Sequence, residues 1–291
     1  MIPVSFTTTR TASSDSSIGQ SGSSRLGDHW EFASATARSL IESNGFNDAD
    51  RIFELIKTSI HSHKGRAVSP VSLIDESGQQ VDAFVKMHWG RRRLIPRMAE
   101  IKTGQIFQNF PTMEWKGIQR LESVGLLVPE RLALLRSGGL QFRDAVIVRR
   151  VPAQVSLDDS IRNGQWDALD RESQREILEG MVRVMQSIHQ AGLGWRGTCT
   201  RHFFPELTSH GAWKLWLIDC EGIHPHLTHR GMSRDYRKLK RALEISGANP
   251  RTLAWFQKLV NRAMESHKTP KPRQPRKGLL VRLYPSLEPS T

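Results

Sequence analysis

The sequence predicts an α+β protein of two lobes, a sheet-rich half followed by a helical half, joined near residue 152. Three observations predict it. Strand-like segments separated by turn chemistry fill residues 68–151. The longest amphipathic pattern of the chain, Asp167 to Ala191, comes after Pro152. A strongly apolar strand, Leu215-Trp216-Leu217-Ile218, then ends in a single carboxylate, Asp219. A sheet followed by helices packs as two layers or lobes with a cleft between them.

The elements follow in order. Residues 1–29 are rich in Ser, Thr and Gly and poor in large apolar groups. Such a segment buries too little surface to offset its ordering entropy and reads as disordered. Residues 30–152 form the expected first lobe. Ile52, Leu55, Ile56 and Ile60 share one side of a helix predicted over 46–62. Val68 to Leu73 and Val81 to Met87 alternate as strands around the turn Asp75-Glu76-Ser77-Gly78. A helix is expected over 96–108. Pro111 interrupts the pattern, and Thr112 is positioned to cap a helix from Met113 to Val124 that Gly125 ends. Leu132–Leu135 and Ala145–Val151 complete the strands, the second being continuously apolar, as a strand buried on both faces requires.

Residues 153–266 form the second lobe. Ile177, Met181, Val184, Met185 and Ile188 recur at three- and four-residue spacing, and Gly192 closes their helix. Strands follow near His202–Phe204 and Lys214–Ile218, around Ser209-His210-Gly211, with helices over Asp235–Leu243 and Thr252–Met264. Residues 267–291 mix Pro with six Lys or Arg and one Glu and read as an extended basic tail.

Composition narrows the function classes. The 291 residues carry a net charge of +13. That predicts a polyanionic partner: nucleic acid, an anionic membrane surface or a phosphorylated glycolipid. Besides the tail, basic residues gather at Arg91-Arg92-Arg93 with Arg97, and from Arg230 to Arg241. Few aromatic residues interleave with them, so no nucleic-acid module is matched and nucleic acid is not favoured. No run of about 18 apolar residues predicts a membrane span. The start carries no basic segment with an apolar core, and two cysteines form no disulfide framework; a reducing cytoplasm is expected.

Four residues carry candidate chemistry. Lys86 ends the strand Ala83-Phe84-Val85, where it either reaches into a cleft toward phosphates or snorkels at the surface. Glu114 either pairs with Lys86 or complements the start of its own helix. Asp219 either binds Mg²⁺ at the mouth of a cleft or caps the segment that follows. His202 lies five residues after Gly197. A zinc set of Cys199, His202, Cys220 and His224 has no closed-site spacing and weighs less.

Several blocks together resemble one family. Ala83-Phe84-Val85-Lys86-Met87-His88 is similar to the Phe-Val-Lys-Arg-His strand of the Kdo/WaaP lipopolysaccharide kinases. Met98-Ala99-Glu100-Ile101, Met113-Glu114-Trp115, Leu121-Glu122-Ser123-Val124-Gly125 and Ile188-His189-Gln190-Ala191-Gly192 follow in the family's order. Arg201-His202-Phe203-Phe204 and Trp216-Leu217-Ile218-Asp219-Cys220-Glu221-Gly222 complete it, so that the resemblance spans roughly 65–245. It implies a protein-kinase-like fold that transfers the γ-phosphate of ATP to a heptose or Kdo hydroxyl of the lipopolysaccharide core at the inner-membrane face. By the same resemblance Lys86 holds phosphates, Glu114 orients Lys86, and Asp219 and His202 bind Mg²⁺. Three departures stand out. Trp195-Arg196-Gly197 replaces His-Arg-Asp, so Gly197 stands where the catalytic Asp is expected. No Gly-x-Gly-x-x-Gly loop is present, and Lys64-Gly65-Arg66 is the nearest phosphate cover, with Gly65 the candidate cofactor-binding glycine. Cys220-Glu221-Gly222 follows Asp219 instead of Phe-Gly.

Overall fold

A computed structural model describes residues 28–91, 109–137, 141–225 and 228–268. Six antiparallel strands form one sheet: β1 (His29–Phe32), β2 (His61–His63), β3 (Arg66–Ile74), β4 (Gln80–Arg91), β5 (Arg131–Arg136) and β6 (Gln141–Arg149). Their order is β1-β5-β6-β4-β3-β2. Helices α1 (Ala35–Ser43) and α2 (Ala49–Glu54) lie on one face of it. Leu40, Ile41 and Ile52 pack there against Val85, Met87 and Ile147. The opposite face turns Val146 and Val148 toward a second core, shared with helix α3 (Phe110–Glu122) and the helical part. The apolar run Ala145–Val148 is thus buried on both faces, for which period-2 alternation between two cores is the reason.

The helical part begins with α4 (Leu157–Arg162) and α5 (Gln165–Ala168), followed by the long α6 (Arg171–Gln190). Every apolar residue of the α6 stripe, from Ile177 to Ile188, is buried. Strand β7 (Leu193–Trp195) pairs with β10 (Ile223–Pro225), and β8 (Phe203–Leu207) pairs with β9 (Trp213–Leu217). Helices α7 (His229–Ser246) and α8 (Pro250–Lys268) close the fold.

Several boundaries differ from expectation. The chain is already ordered at His29, which pairs with Arg136, so β1 takes up the end of the segment read as disordered. The helix expected over 46–62 is shorter: Asp48 caps α2 with its carboxylate on the Asp50 N–H, and the chain is extended again by His61. Ile60, placed on the buried side, is exposed. Pro111 stands in the first turn of α3, where its missing N–H costs nothing. Thr112 is therefore inside the helix and buried, not its cap. The helix expected over 167–191 is broken at Leu169–Asp170. Asp170 is extended, and its carboxylate accepts the Ser173 N–H at 2.8 Å to start α6 afresh. The helix expected over 96–108, Arg92, Arg93 and Arg97, and nearly all of the basic tail lie outside the described residues.

Candidate functional site

Strand and helix meet where the two cores join. Lys86 stands on β4 between Val85 and Met87, which face the α1–α2 core, so its own side chain is on the other face. There its ammonium donates to Glu114 Oε1 at 2.8 Å and to Asp219 Oδ1 at 3.5 Å. Glu114 arrives from the first turns of α3 and is almost completely buried. Gly117 sets that approach: a Cβ there would run into the Cys220 carbonyl, so the absence of a side chain lets α3 press on the segment after Asp219. The register of β3 and β4 puts Val68 opposite Lys86 and Arg66 opposite His88, on the same face.

Asp219 follows β9 in a left-handed conformation, φ 58°, and its side chain makes no cap hydrogen bond to the short 3₁₀ turn Cys220–Gly222. The capping alternative is thereby set aside. Its second oxygen, Oδ2, lies 3.3 Å from His202 Nε2, and Cys199 Sγ lies 3.4 Å from the same nitrogen. The His202 ring stacks on Trp195, and the His202 carbonyl accepts the Ile218 N–H at 3.1 Å, tying the two loops together. Burial disfavours charge on Asp219, but His202 and Lys86 outweigh it and hold the carboxyl well below the usual carboxylate range. Burial likewise opposes charge on the imidazole, yet its hydrogen bonds to Asp219 and Cys199 carry His202 up to about 9. For Lys86, the pull of Glu114 and Asp219 overcomes desolvation and raises its pKa.

The raised His202 pKa has a sign. A group bound more tightly as its cation contributes stability that is complete below its unfolded value near 6.5 and lost as pH rises through about 9. Wild-type stability should therefore fall by roughly 1–3 kcal/mol across that window beyond the general alkaline trend. His202→Asn should flatten the fall, as read from urea unfolding at pH 6.5 and 9; an identical slope in the variant sinks the assignment.

A cavity of about 480 Å³ opens beside these groups, lined among others by Lys86, Asp159, Arg201, His202 and Asp219. Asp219 fits a Mg²⁺ site of the usual kind, one carboxylate with phosphate oxygens completing the shell. His202 Nε2 faces Asp219 Oδ2 at 3.3 Å, so in this arrangement it supports that carboxylate from behind. No cluster of three or more metal-ligating side chains exists among the described residues, so the zinc set is not assembled. His224 Nδ1 instead meets the Pro225 carbonyl, and Cys220 is buried.

Gly65 sits away from the cavity lining, in the two-residue turn Lys64-Gly65 between β2 and β3, with both residues at positive φ. A Cβ on Gly65 would stand 2.6 Å from the Trp89 carbonyl, which explains the glycine without any ligand. Gly197 follows Arg196, whose N–H donates to the Gly222 carbonyl at 3.0 Å; a Cβ added to Gly197 meets no atom within 4 Å.

Asp235 carried no signal in the sequence beyond a charged residue in a basic helix. It is fully buried, accepts the Trp195 N–H at 3.1 Å and lies 3.5 Å from His189 Nε2. It anchors the strand that leads into Gly197 and His202. Asp235→Ala removes a buried acceptor and should destabilise the fold by about 1–3 kcal/mol in urea unfolding. An unchanged midpoint would contradict that anchoring role.

The sequence model described as the lipopolysaccharide kinase (Kdo/WaaP) family matches residues 82–264. A solved structure, WaaP in complex with acyl carrier protein, superposes with a TM-score of 0.58 at 17% identity, covering 83% of this chain and 92% of that chain. No curated protein matches.

Proposed function

This chain belongs to the lipopolysaccharide kinase (Kdo/WaaP) family, and we propose that it is an ATP-dependent kinase acting on a sugar hydroxyl of the lipopolysaccharide core. The observation that carries the proposal is the placement of Lys86 between Glu114 and Asp219, from three separate elements, at the edge of a polar cavity. Phosphoryl transfer needs mainly positioning and charge neutralisation. Lys86 would hold nucleotide phosphates, with its ammonium aimed by Glu114. Asp219 would hold Mg²⁺, which supplies Lewis-acid neutralisation of phosphate charge. His202 would keep the Asp219 carboxylate turned into the cavity. Gly65 would act at one remove, shaping the tight turn that leads into β3.

The acceptor implies a partner. A core glycolipid sits in an anionic bilayer, and exposed cations such as Arg91, Arg237 and Arg241 would favour peripheral contact with the inner-membrane face. Each Lys or Arg near such a surface is worth about 1 kcal/mol. No helix among the described residues is long and apolar enough to cross a membrane.

The test is lipopolysaccharide phosphate content in a deletion strain. Wild type should restore it, and Asp219→Ala should not. Restoration by Asp219→Ala would refute the catalytic reading. A second reading is favoured by Gly197, which leaves the catalytic loop without a carboxylate: a nucleotide-binding scaffold. It predicts that ATP with Mg²⁺ raises the melting temperature of the purified chain while no phosphate reaches the glycolipid.

A further inference from the structure

The β2–β3 hairpin is too tight to work as a phosphate-wrapping loop. Lys64 and Gly65 alone connect β2 to β3. The Gly65 carbonyl accepts the Trp89 N–H at 2.8 Å, which pins the turn onto β4. A long glycine-rich loop offers several backbone N–H groups to a phosphate chain; a two-residue turn does not. Among the described residues of this hairpin, a phosphate contact falls to a side chain.

Arg66 is the side chain in position. It is the first residue of β3 and pairs with His88, one alternation away from Lys86, so the guanidinium and the ammonium share the cleft face. Its guanidinium lies over the Phe110 ring at the start of α3. Across the cleft its Nη1 is 3.7 Å from Glu221 Oε1, two residues after Asp219. Burial weighs most on its charge and lowers its pKa, while Glu221 and Asp219 attract it. Arg66 therefore spans from the sheet to the segment that carries Asp219, and its side chain remains 42% exposed, free to exchange partners.

We propose that Arg66 is the second phosphate-binding cation of the cleft, taking the terminal phosphates of a nucleoside triphosphate in place of a glycine-rich loop. This rests on the reading of the cleft as a nucleotide site. The planar guanidinium suits two phosphate oxygens at once, as a second ammonium would not. Glu221 and Phe110 hold it beside the segment that carries Asp219 before nucleotide arrives, and phosphate oxygens replace the Glu221 carboxylate as its partner.

The experiment compares AMP with ATP, each with Mg²⁺, by calorimetric titration of the full chain. AMP lacks the phosphates that Arg66 would hold. Wild type should bind ATP more tightly than AMP. Arg66→Met should weaken ATP binding by about 10–100-fold, the loss expected for a charge-assisted contact. Its AMP affinity should change less than about twofold. Arg66→Lys, which keeps the charge and the fold, should recover only part of the ATP affinity. Arg66→Met binding ATP as wild type does, or Arg66→Lys recovering all of it, overturns the assignment to a guanidinium contact. Wild type that binds both nucleotides equally overturns it too, while leaving a nucleotide site in place. Wild type that binds neither nucleotide defeats the nucleotide reading, and this inference falls with it.

Discussion

Lys86→Met should lose both stability and phosphoryl transfer, and the first loss is measurable without any substrate. Glu114 is 2% exposed, and its Oε2 has no hydrogen-bond partner among the described residues. Its Oε1 depends on the Lys86 ammonium at 2.8 Å. Methionine keeps the length of the side chain but leaves that carboxylate buried beside an apolar group. Breaking a buried pair from one side costs about 3–5 kcal/mol. Lys86 is a quarter exposed, so water can partly take its place, and about 3 kcal/mol is the expected loss. The double variant Lys86→Met/Glu114→Gln should regain most of that stability, because the stranded charge is then gone. It should regain no transfer, because the ammonium beside Asp219 is still missing and Arg66 stands one strand alternation away from that place. Urea unfolding of the single and double variants gives the coupling directly. Equal midpoints for wild type and Lys86→Met would show that Glu114 does not rely on Lys86. The Arg of an ordinary surface pair, such as Arg175 with Glu179, should by contrast matter by less than about 1 kcal/mol when replaced.

The same contrast explains what could be read from the sequence. Lys86 and Asp219 were visible because each ends or interrupts an apolar strand pattern, and a charge in such a place has few local explanations. The two-lobed order was visible in the switch from alternation to helical spacing after Pro152. What stayed hidden depends on contacts between distant segments. Gly117 looks like a weak point in a helix, until α3 is seen to lie against Cys220. Asp235 looks like one more charge in a basic helix, until its carboxylate is found on the Trp195 N–H, forty residues away. The Arg66–Glu221 contact joins residues 155 positions apart and has no local periodicity to announce it. The helix α1 was missed for a different reason. Its cues were present, with Ser34 capping the Ala37 N–H and Ala37, Leu40 and Ile41 on one side. They lie next to a Ser-rich segment whose composition dominates a window average. Misplaced ends of α2 and α6 have one cause in common: Asp48 and Asp170 read as polar helix residues but act as N-caps.

Gly197→Asp should raise the rate of phosphoryl transfer to a sugar hydroxyl. The backbone around Gly197 is held from two sides, by the Arg196 N–H on the Gly222 carbonyl and by the Lys238 ammonium on the Arg196 carbonyl at 2.6 Å. The position is therefore fixed while its side-chain volume is open, since an added Cβ meets nothing within 4 Å. Its φ is also outside the left-handed region that favours glycine, so an Asp enters without backbone strain. The stability cost should stay within about 1 kcal/mol, as for substitutions away from core features. The catalytic consequence is larger. A positioned base contributes about 10²–10⁴-fold where a proton must leave the attacking hydroxyl. An increase of about 10²-fold in turnover is expected, with the affinity for ATP unchanged, since the proposed nucleotide contacts at Lys86 and Asp219 are untouched. Gly197→Asn is the control, with the same shape and no basicity, and should leave turnover at the wild-type level. An equal gain in both variants would mean that the side chain acts by positioning. A loss in the Asp variant alone would mean that its charge repels the nucleotide, and that this chain performs transfer through a base other than the one its loop lacks.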